Sequence, residues 1–514
     1  MHRPPTAEAE LAAELAAVRP ALGPRFAAAL PGARAAVLTR LWRALAHEPL
    51  PWIARREPGR EGLTLYLRDG RRLHGPHADP FATDGYVTAV RLDAVVAGGV
   101  APGGVVYDDP ARLMTDLAVP HGGGLAAELA HSAASLALSR AGQPSDRATN
   151  EWPAHDWEWE QRVVDGHPYH PGCRSRPGFS VAEQLAYAPE HRPPPVRLGL
   201  LPVPAGECLV SGVWPAALRD GERLVVPVHP WQARHVLKRS CEEGPAAHPL
   251  MSLRTLAVPD GPHVKTALSA RLTSSVRDIS VGSVAASAAL SAFGETLAAH
   301  TDGLLHITRT LGAVTAHSPD LAAVLRESPA VHAGPGERVV PVAALATTGL
   351  PGSAGWLATF ARLALTVGLR LLELGVALEA HGQNLLVVLS ASGAPLRLVY
   401  RDLADIRVSP ARLAHHGLPL PEVPRRILTD DVTALRRKLF GSLVAGALAG
   451  AAGSRDALRA VLTEAVREVP RTPDLVALCE EPLPVKALTL MRLSPGVAGD
   501  QWTELPNPLV CSGS

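Results

Sequence analysis

Two stretches in which apolar and polar residues alternate constrain the fold of this chain most. One covers residues 252–271 with a turn at Asp260-Gly261, and the other covers residues 384–401 with a turn near Gly393. Side chains alternate between the two faces of a β-strand, so two such runs joined by a short polar loop predict an antiparallel hairpin. The fold must therefore contain antiparallel sheet.

Helical spacing dominates other parts of the chain. Leu11, Leu15 and Leu22 recur at helical intervals within residues 7–48. Further helices are predicted near residues 124–140, 283–300 and 355–379, and further strands near residues 63–74 and 223–228. The part after the second hairpin is mostly helical. Together these patterns predict an α+β fold with antiparallel sheets and a helical C-terminal part.

The length of 514 residues exceeds what one hydrophobic core usually serves. The stretch 143–195 is irregular and rich in Pro, His and Trp, which indicates a functional segment or a domain junction. Pro and Gly signals over residues 318–351 indicate a second boundary. We therefore predict three domains, covering residues 1–160, 161–350 and 351–514.

Charge and cysteine content exclude several classes of protein. The formal net charge is only +1, which argues against a general binder of nucleic acid or of membrane surfaces. The five cysteines are dispersed and form no C-x-x-C pair, which is typical neither of a disulfide scaffold nor of a structural zinc site. Glu8, Glu10 and Glu14 interrupt the N-terminal region where a signal peptide would be apolar. We expect a cytoplasmic protein.

Lysine is rare in this chain. Of the 50 basic residues only four are lysine, at positions 238, 265, 438 and 486. A genome rich in G and C produces such a bias towards arginine. Where lysine persists under that pressure, a compact ammonium group is a candidate chemical requirement, although chance retention explains four lysines as well.

The first hairpin gathers cations. If its loop is 259–262, Val258 lies opposite His263, and one face then presents Ser252, Arg254, Lys265, Ser269 and Arg271. The hydroxyl run Thr273, Ser274 and Ser275 follows, and then Arg277. Four cations and several hydroxyls in one place suit a polyphosphate or a tricarboxylate. The alternative is a solvated sheet face next to a polar loop.

The second hairpin gathers oxygen ligands. Pairing Ser390 with Leu396 would bring Asn384 opposite Asp402, beside Glu379 and His381. An amide and a carboxylate at the mouth of a hairpin are hard ligands that suit Mg²⁺ on a nucleotide. Kinases and aminoglycoside phosphotransferases use a comparable arrangement. A purely structural hairpin is the alternative.

Histidines occur in two further segments. The segment 166–180 contains His167, His170, Arg174 and Arg176, without another Cys or His at zinc-ligand spacing. The two arginines make an anion site the better interpretation. His229, in VPVHPWQ, is by itself typical of a packed structural histidine.

Six segments, in order between about residues 125 and 493, resemble the NRPS-independent siderophore synthetases of the aerobactin-synthetase (IucA/IucC) type. They are HPYHPGCRSRPGFS, VPVHPWQ, KTALSARLTSSVRDIS, EAHGQNLLV, YRDLADIR and KALTLMRL. The resemblance implies a cupped-hand fold of thumb, fingers and palm with ATP in the cleft. It also implies two steps: a carboxylate attacks the α-phosphate of ATP to give an acyl-adenylate and pyrophosphate, and an amine, hydroxylamine or alcohol then displaces AMP. Dimers are common among such proteins, so a homodimer is a further expectation.

The resemblance also implies roles for individual residues. Catalysis falls to Arg277, His381, Lys265 and His170, although the sequence does not choose which histidine is the base. The implied ATP contacts are His170, Ser252, Arg254, Thr255, Lys265, Thr273, Ser274, Ser275, Arg277, Asn384 and Asp402. Arg277, His381 and Arg271 would meet the carboxylate, and Glu379, Asn384 and Asp402 would hold Mg²⁺.

Two departures from the family pattern bear on this interpretation. Arg174 stands where relatives usually have lysine, and we expect phosphate affinity to survive because both are cations. Asp405 follows the Arg401-Asp402 pair where relatives tend to have a Gly-rich turn, and it adds negative charge near the site.

Competing functions are a kinase-like phosphotransferase and, less favoured, a non-catalytic siderophore-binding protein. A kinase would release ADP, and a ligase of this type would release AMP. The carboxylate is citrate, a related di- or tricarboxylate or its monoamide, and the sequence identifies neither it nor the nucleophile.

Overall fold

A computed structural model describes residues 6–93, 95–96, 99–100, 103–144, 152–272 and 275–510. Its helices are α1 Ala7–Val18, α2 Gly23–His47, α3 Pro110–Leu117, α4 Gly122–Ala141, α5 Asp156–Gln161, α6 Val181–Tyr187, α7 Pro230–Gln232, α8 Val281–Ala285, α9 Ser287–Ala298, α10 Ala354–Leu374, α11 Pro410–His415, α12 Val432–Leu439, α13 Ala449–Ala452, α14 Arg455–Ala465, α15 Pro473–Glu480 and α16 Leu488–Leu493. Among the described residues no helix is both long enough and apolar enough to cross a membrane.

The strands of the first half are β1 Ile53–Pro58, β2 Leu63–Leu67, β3 Arg72–Gly75, β4 Val90–Asp93, β5 Val95–Val96, β6 Gly99–Val100, β7 Val105–Tyr107, β8 Val196–Pro204, β9 Leu209–Gly212, β10 Arg219–Asp220, β11 Arg223–Val228, β12 Glu242–Pro249 and β13 Thr255–Ala257. Those of the second half are β14 His263–Thr266, β15 Leu268–Leu272, β16 Ser275–Arg277, β17 Leu305–Ile307, β18 Thr310–Ser318, β19 Leu321–Arg326, β20 Arg338–Pro341, β21 Val376–Ala377, β22 Leu385–Leu389, β23 Pro395–Tyr400, β24 Arg407–Val408, β25 Leu483–Lys486 and β26 Trp502–Leu505.

The N-terminal part packs α1–α4 on a sheet with the strand order β1-β2-β3-β4-β7. β2 and β3 lie within the region 63–74 predicted to form strands, and they make an antiparallel hairpin around Asp69-Gly70. The buried apolar face of α2, which includes Leu38, Leu41 and Trp42, forms the centre of this core. Leu490 and Leu493 of α16 also pack in it, so the end of the chain returns to the N-terminal part.

A nine-stranded sheet with the order β10-β11-β8-β12-β13-β14-β19-β18-β9 forms the middle of the molecule. The hairpin β13–β14 is present as predicted, but its register differs by one residue. Ala257 pairs with His263, and Thr255 pairs with Lys265. The predicted pairing of Val258 with His263 is wrong, because Val258 is part of the turn, where its N–H donates to the Pro262 carbonyl. A shift of one residue exchanges the two faces of one strand relative to the other.

The C-terminal part packs α10 and the later helices on a sheet with the order β17-β23-β22-β20. The Ser353 side chain caps the N-terminus of α10, and Gly375 ends the helix with φ +105°. Strand β17 pairs with β23 in parallel, so this sheet is not purely antiparallel. A π-helical segment, Phe440–Leu448, continues α12 and packs against β25. A long π-helical stretch is rare and often marks a functional region.

The hairpin β22–β23 also departs from its predicted register by one residue. Leu385 pairs with Tyr400, and the N–H of Arg401 donates to the carbonyl of Asn384. Asn384 therefore lies opposite Arg401 and not opposite Asp402 as predicted. The cause is a shorter loop, because the N–H of Ser390 donates to the Ala394 carbonyl, two residues before the predicted partner Leu396. An irregularity between Val388 and Leu389 then reduces the difference to one residue.

The irregular segment before β8 is ordered where the structure describes it. It contains α5 and α6, and a capping box fixes the start of α6 through Ser180 and Glu183. The predicted domain limits, 1–160, 161–350 and 351–514, stay a prediction.

Candidate active site

A cavity of about 1180 Å³ lies where the three parts of the molecule meet. Arg40 and Arg43 of α2, the loop around His170, the β13–β14 hairpin and the loop after α10 contribute to its wall. Among the described residues, thirteen arginines and lysines line it, against six carboxylates. In a chain of net charge +1, this local excess of cations focuses a positive potential and favours polyanionic ligands.

Lys265 and Asp402 form the central ion pair of the wall. The Lys265 ammonium lies 2.6 Å from the Asp402 carboxylate, and Arg326 lies 3.7 Å from its other oxygen. Asp402 follows β23 with φ +76°, an uncommon conformation for a residue with a side chain. Backbone strain of this kind is found at functional sites when surrounding contacts enforce it. The sequence did not point to Arg326.

The charges of this pair depend on their surroundings. Burial lowers the pKa of Lys265 to about 7, with Arg254 and Arg326 adding to the effect and Asp402 opposing it. Burial by itself would raise the pKa of Asp402, but Lys265, Arg326 and Arg254 hold it well below its usual range. Asp402 is therefore ionised, and the cations around it exceed its single charge. An anion entering the cavity would relieve their repulsion.

Arg254 connects this pair to Arg277. Its guanidinium donates to the backbone carbonyls of Arg277 at 3.1 Å and of Asp278 at 2.6 Å. Arg277 itself lines the cavity, as do Ser252 and Thr255. The structure thus brings most of the predicted cationic hairpin to one wall.

Some predicted residues do not join this wall. Arg271 is exposed, pairs across the β15–β16 ladder with Val276 and does not line the cavity, so its predicted place on the face of Lys265 is wrong. Ser269 bonds Gln232 and Asp320 instead. Thr273 and Ser274 lie outside the described residues, and of Ser275 only the backbone, in β16, is described.

Hydrogen bonds fix the tautomers of His170 and His381. The Nδ1 of His170 accepts the N–H of Gly172 at 2.9 Å, and the Nδ1 of His381 accepts the N–H of Gln383 at 3.2 Å. In the neutral ring the proton must then lie on Nε2. Burial lowers the pKa of His170 to about 3, and it also lowers that of His381. Both rings therefore present an N–H donor to the cavity, and neither offers a free lone pair for a base.

The Nε2 of His170 has no hydrogen-bond partner among the described residues and is fully buried. A buried donor without a partner costs free energy unless a ligand or water satisfies it. Since His170 lines the cavity, an acceptor such as a phosphate oxygen fits this position.

Glu379 holds two lysines. Its Oε1 lies 2.8 Å from the Lys438 ammonium and 2.9 Å from that of Lys486, and Lys486 also lies 3.1 Å from Asp500. Burial opposes ionisation, but Lys486 and Lys438 lower the pKa of Glu379 to about 2. Three of the four lysines thus line one cavity, whereas Lys238 is exposed elsewhere. The rarity of lysine was the sequence signal that could have found Lys438 and Lys486.

Arg174 and Arg176 share one buried carboxylate, which compensates one of their two charges. Both are buried and face the buried carboxylate of Glu190, at 3.5 Å and 2.7 Å. Arg174 also donates to the carbonyls of Val163 and Val164. The Arg174 guanidinium thus binds groups of the protein itself. These contacts do not support the expectation that Arg174 binds phosphate in place of a lysine. His229 is fully buried, as predicted for a packed histidine.

Asp405 lines the cavity, as expected from its neighbourhood to Asp402. Arg426 lies 3.1 Å from its carboxylate, and both side chains are more than half exposed. The negative charge that Asp405 adds is therefore partly compensated.

Comparisons with known proteins give the family context. Residues 155–347 match the IucA/IucC family, and residues 354–500 match the ferric iron reductase FhuF-like transporter family. A citryl-spermidine/3,4-dihydroxybenzoyl-citryl-spermidine:spermidine ligase of Bacillus anthracis is 26% identical over 313 residues, which are 48% of this chain and 51% of the ligase. The match thus spans about half the length of this curated relative.

Two solved structures share the fold. The petrobactin biosynthesis protein AsbB of Bacillus anthracis superposes with a TM-score of 0.73 at 19% identity, covering 95% of this chain and 98% of that one. ATP-bound aerobactin synthetase IucA of Klebsiella pneumoniae gives a TM-score of 0.72 at 20% identity, covering 93% and 99%. The predicted α+β fold of this type is confirmed. Residues 155–347 match the IucA/IucC family, and the predicted resemblance of the chain to siderophore synthetases of that type is confirmed.

Proposed function

We propose that the chain is an ATP-dependent, AMP-forming ligase that joins a polycarboxylic acid to an amine, hydroxylamine or alcohol in siderophore biosynthesis. The carboxylate would be citrate, a related di- or tricarboxylate, or its monoamide. The excess of cations around Lys265 and Asp402 carries this proposal, because both substrates of the first step are polyanions. A cytoplasmic location and a homodimer stay predictions from the sequence.

In the first step a carboxylate oxygen attacks the α-phosphorus of ATP, and pyrophosphate leaves with the bonding electrons. Attack of one anion on another requires cations that are in place beforehand. Lys265, Arg254 and Arg277 would supply them, and His170 would donate its Nε2–H to a phosphate oxygen. Arg277 and the Nε2–H of His381 would hold the carboxylate.

In the second step the nucleophile attacks the acyl carbon, the bond to the phosphate oxygen breaks, AMP leaves with the bonding electrons, and water takes up the proton that the nucleophile loses. Proximity in one cavity would contribute much of the rate. Because neutral His170 and His381 both present N–H groups, we assign them to binding and not to proton abstraction.

The residues present fit Mg²⁺ in part. Asp402 and Asn384 offer carboxylate and amide oxygens at the cavity wall, and bound phosphates usually complete the coordination of Mg²⁺ in such sites. Glu379 is the poorer candidate, because two lysines lie within 2.9 Å of its Oε1, whereas Asp402 has one such close partner, Lys265. Mg²⁺ held by Asp402 and Asn384 would neutralise charge on the leaving pyrophosphate.

Asp402→Asn tests the metal assignment. It should raise the Mg²⁺ concentration needed for half-maximal activity, because it removes the charge that a hard cation requires. It should also destabilise the nucleotide-free protein by about 1–3 kcal/mol, because Lys265 loses its partner in a partly buried pair. A wild-type Mg²⁺ titration curve would place the metal elsewhere.

Product analysis tests the proposed reaction. Purified protein is incubated with ATP and citrate, then with other carboxylates, and hydroxylamine serves as the trapping nucleophile. AMP, pyrophosphate and a hydroxamate should form only when a carboxylate is present. ADP as the main product would instead support the phosphotransferase.

A further inference from the structure

His263 differs from the other cavity histidines in the hydrogen bond it makes. It lies on β14 two residues before Lys265, so both side chains are on the same face of the strand, and both line the cavity. The Nε2 of His263 lies 2.8 Å from the Oδ2 of Asp156. Its side chain is only 3% exposed, which leaves little freedom to reorient.

Asp156 fixes the tautomer of His263. The hydroxyl of Ser328 donates to the same carboxylate oxygen at 2.7 Å. Burial alone would raise the pKa of Asp156, but the bonds from His263 and Ser328 lower it to about 2, so the carboxylate can only accept. Neutral His263 must then carry its proton on Nε2 and present a lone pair at Nδ1. No described protein group bonds this Nδ1.

The cavity that His263 lines also has an apolar wall. Helix α5, which begins with Asp156, packs against Val342–Thr347, and its Glu160 accepts the N–H of Met251 at 2.7 Å. These contacts link α5, and with it Asp156, to two segments that contribute apolar side chains to the cavity lining: Leu250, Met251 and Leu253, and Val342 with Ala343. The wall can contact a flat ring and exclude water, while Nδ1 requires a donor at the edge of that ring.

We propose that His263 selects adenine, its Nδ1 accepting a hydrogen bond from the exocyclic amino group of the base while the apolar wall contacts the ring. Asp156 is the positioning residue that sets this lone pair. This inference rests on the proposed function, in which a nucleoside triphosphate binds beside Lys265. Adenine presents an amino donor at position 6, whereas guanine and hypoxanthine present a carbonyl acceptor, which would face the lone pair of Nδ1.

The first test uses the wild-type protein and measures dissociation constants by calorimetry, so it does not depend on turnover. Three nucleotides are compared: ATP, purine riboside triphosphate, which lacks the amino group, and inosine triphosphate. Loss of one hydrogen bond should weaken binding of the purine analogue about 10-fold, and the opposed carbonyl should weaken inosine triphosphate further. Equal affinities for ATP and the purine analogue would overturn the inference.

The second test removes the acceptor. His263→Leu should bind ATP no more tightly than the wild type binds the purine analogue, and its affinity for that analogue should stay unchanged. His300→Leu, at an exposed histidine that does not line the cavity, is the matched control. A His263→Leu protein that still prefers ATP by the wild-type factor would overturn the inference, and if this variant does not fold, the wild-type comparison decides. The proposed reaction is judged separately, by whether AMP release depends on a carboxylate.

Discussion

The hydrogen-bond partner of each cavity histidine determines whether its ring donates or accepts a hydrogen bond in the cavity. In His170 and His381 the amide two residues further along donates to Nδ1, so the ring itself becomes a donor towards the cavity. In His263 the Nε2–H donates a hydrogen bond to the Asp156 carboxylate, so the Nδ1 of the neutral ring is an acceptor. The same side chain thus supplies opposite functions, and the difference comes from its nearest hydrogen-bond partner.

Lys265 provides the most direct test of the cationic wall. Lys265→Ala should lower carboxylate-dependent pyrophosphate release by ~10²–10³-fold, as the loss of one preorganised donor commonly does. Arg277→Ala should act in the same direction. Lys238→Ala is the matched control, because this lysine is exposed and lies outside the cavity lining. Wild-type release rates in both cavity variants would show that the wall is not at the reacting phosphate.

Glu379 should make stability depend on pH. Its pKa is lowered from 4.5 to about 2 by Lys486 and Lys438, against the effect of burial. A lowered carboxylate pKa contributes stability above about pH 4.5, and this contribution is lost as the pH falls towards 2. Glu379→Gln should therefore cost on the order of 2 kcal/mol at pH 7 and less at pH 3.5, measured by urea unfolding. Glu373→Gln, at an exposed pair with Arg370, is the control and should lower the free energy of unfolding little at either pH. A loss of stability in Glu379→Gln that does not vary with pH would contradict the lowered pKa of Glu379.

Sequence reasoning found the residues that lie within motifs and missed those that arrive from a distance. Arg254, Lys265 and Arg277 share one hairpin region, so alternation and turn signals were enough to place them near one another. Arg326 and Lys438 reach the same cavity from other elements, and no local pattern marks them; the rarity of lysine in the whole chain was the one sequence signal for Lys438. Arg271 was misplaced because the strand breaks after Thr266, and counting alternate residues across that break gives the wrong face.

Among the elements, the short helix α5 does more than its length suggests. Its two buried carboxylates, Asp156 and Glu160, are one helical turn apart and face the same way. Glu160 lies 2.7 Å from Arg401 and accepts the N–H of Met251. It therefore connects the residue before Ser252 to the residue before Asp402. Through Glu160, helix α5 thus contacts segments beside both of the hairpins that the sequence analysis identified separately.

The ion pair between Glu160 and Arg401 predicts that their contributions to stability are coupled. Glu160→Gln and Arg401→Gln should each lower thermal stability, and the double variant should lose less than the sum, with a coupling energy of about 1–3 kcal/mol. Each single variant should also raise the KM for ATP, because both flanking segments lose their anchor. Glu464→Gln on α14, which is exposed, serves as the control. Additive losses of stability would mean that Glu160 and Arg401 do not interact.

The hairpins show why elements are easier to predict than their registers. Both were predicted correctly as hairpins, since alternation and turn residues are local signals. Both predicted registers were wrong by one residue. In the first hairpin Val258 belongs to the turn, and in the second the loop closes at Ala394, two residues before the predicted partner of Ser390, with an irregularity offsetting one of the two. Irregularities of this kind depend on tertiary packing, and alternation alone carries no signal for them.

Across the whole molecule, the cavity depends on all three parts of the chain. Arg40 comes from α2, Lys265 from the central sheet, and Asp402 and Lys486 from the C-terminal part. The C-terminal α16 packs in the N-terminal core, where Glu48 accepts the N–H groups of Thr489 and Leu490. A ligand bound between these parts would contact segments that are far apart in sequence, so its binding energy would stabilise their arrangement as one unit.

Nucleotide binding should therefore stabilise all three parts together. At an ATP concentration of 100 times the dissociation constant, linkage predicts about 2.7 kcal/mol of added stability, seen as a rise in Tm. Hydrogen exchange should slow at the same time in the loop 165–173, in the hairpin 255–266 and in the segment 379–402, because each contributes residues to the cavity wall. The segment 464–468 at the end of α14, in which Glu464, Arg467 and Glu468 are exposed and no residue lines the cavity, should exchange at an unchanged rate. Protection confined to one of the three segments would mean that the nucleotide contacts a single part of the molecule. It would then not bind in the cavity between the three parts.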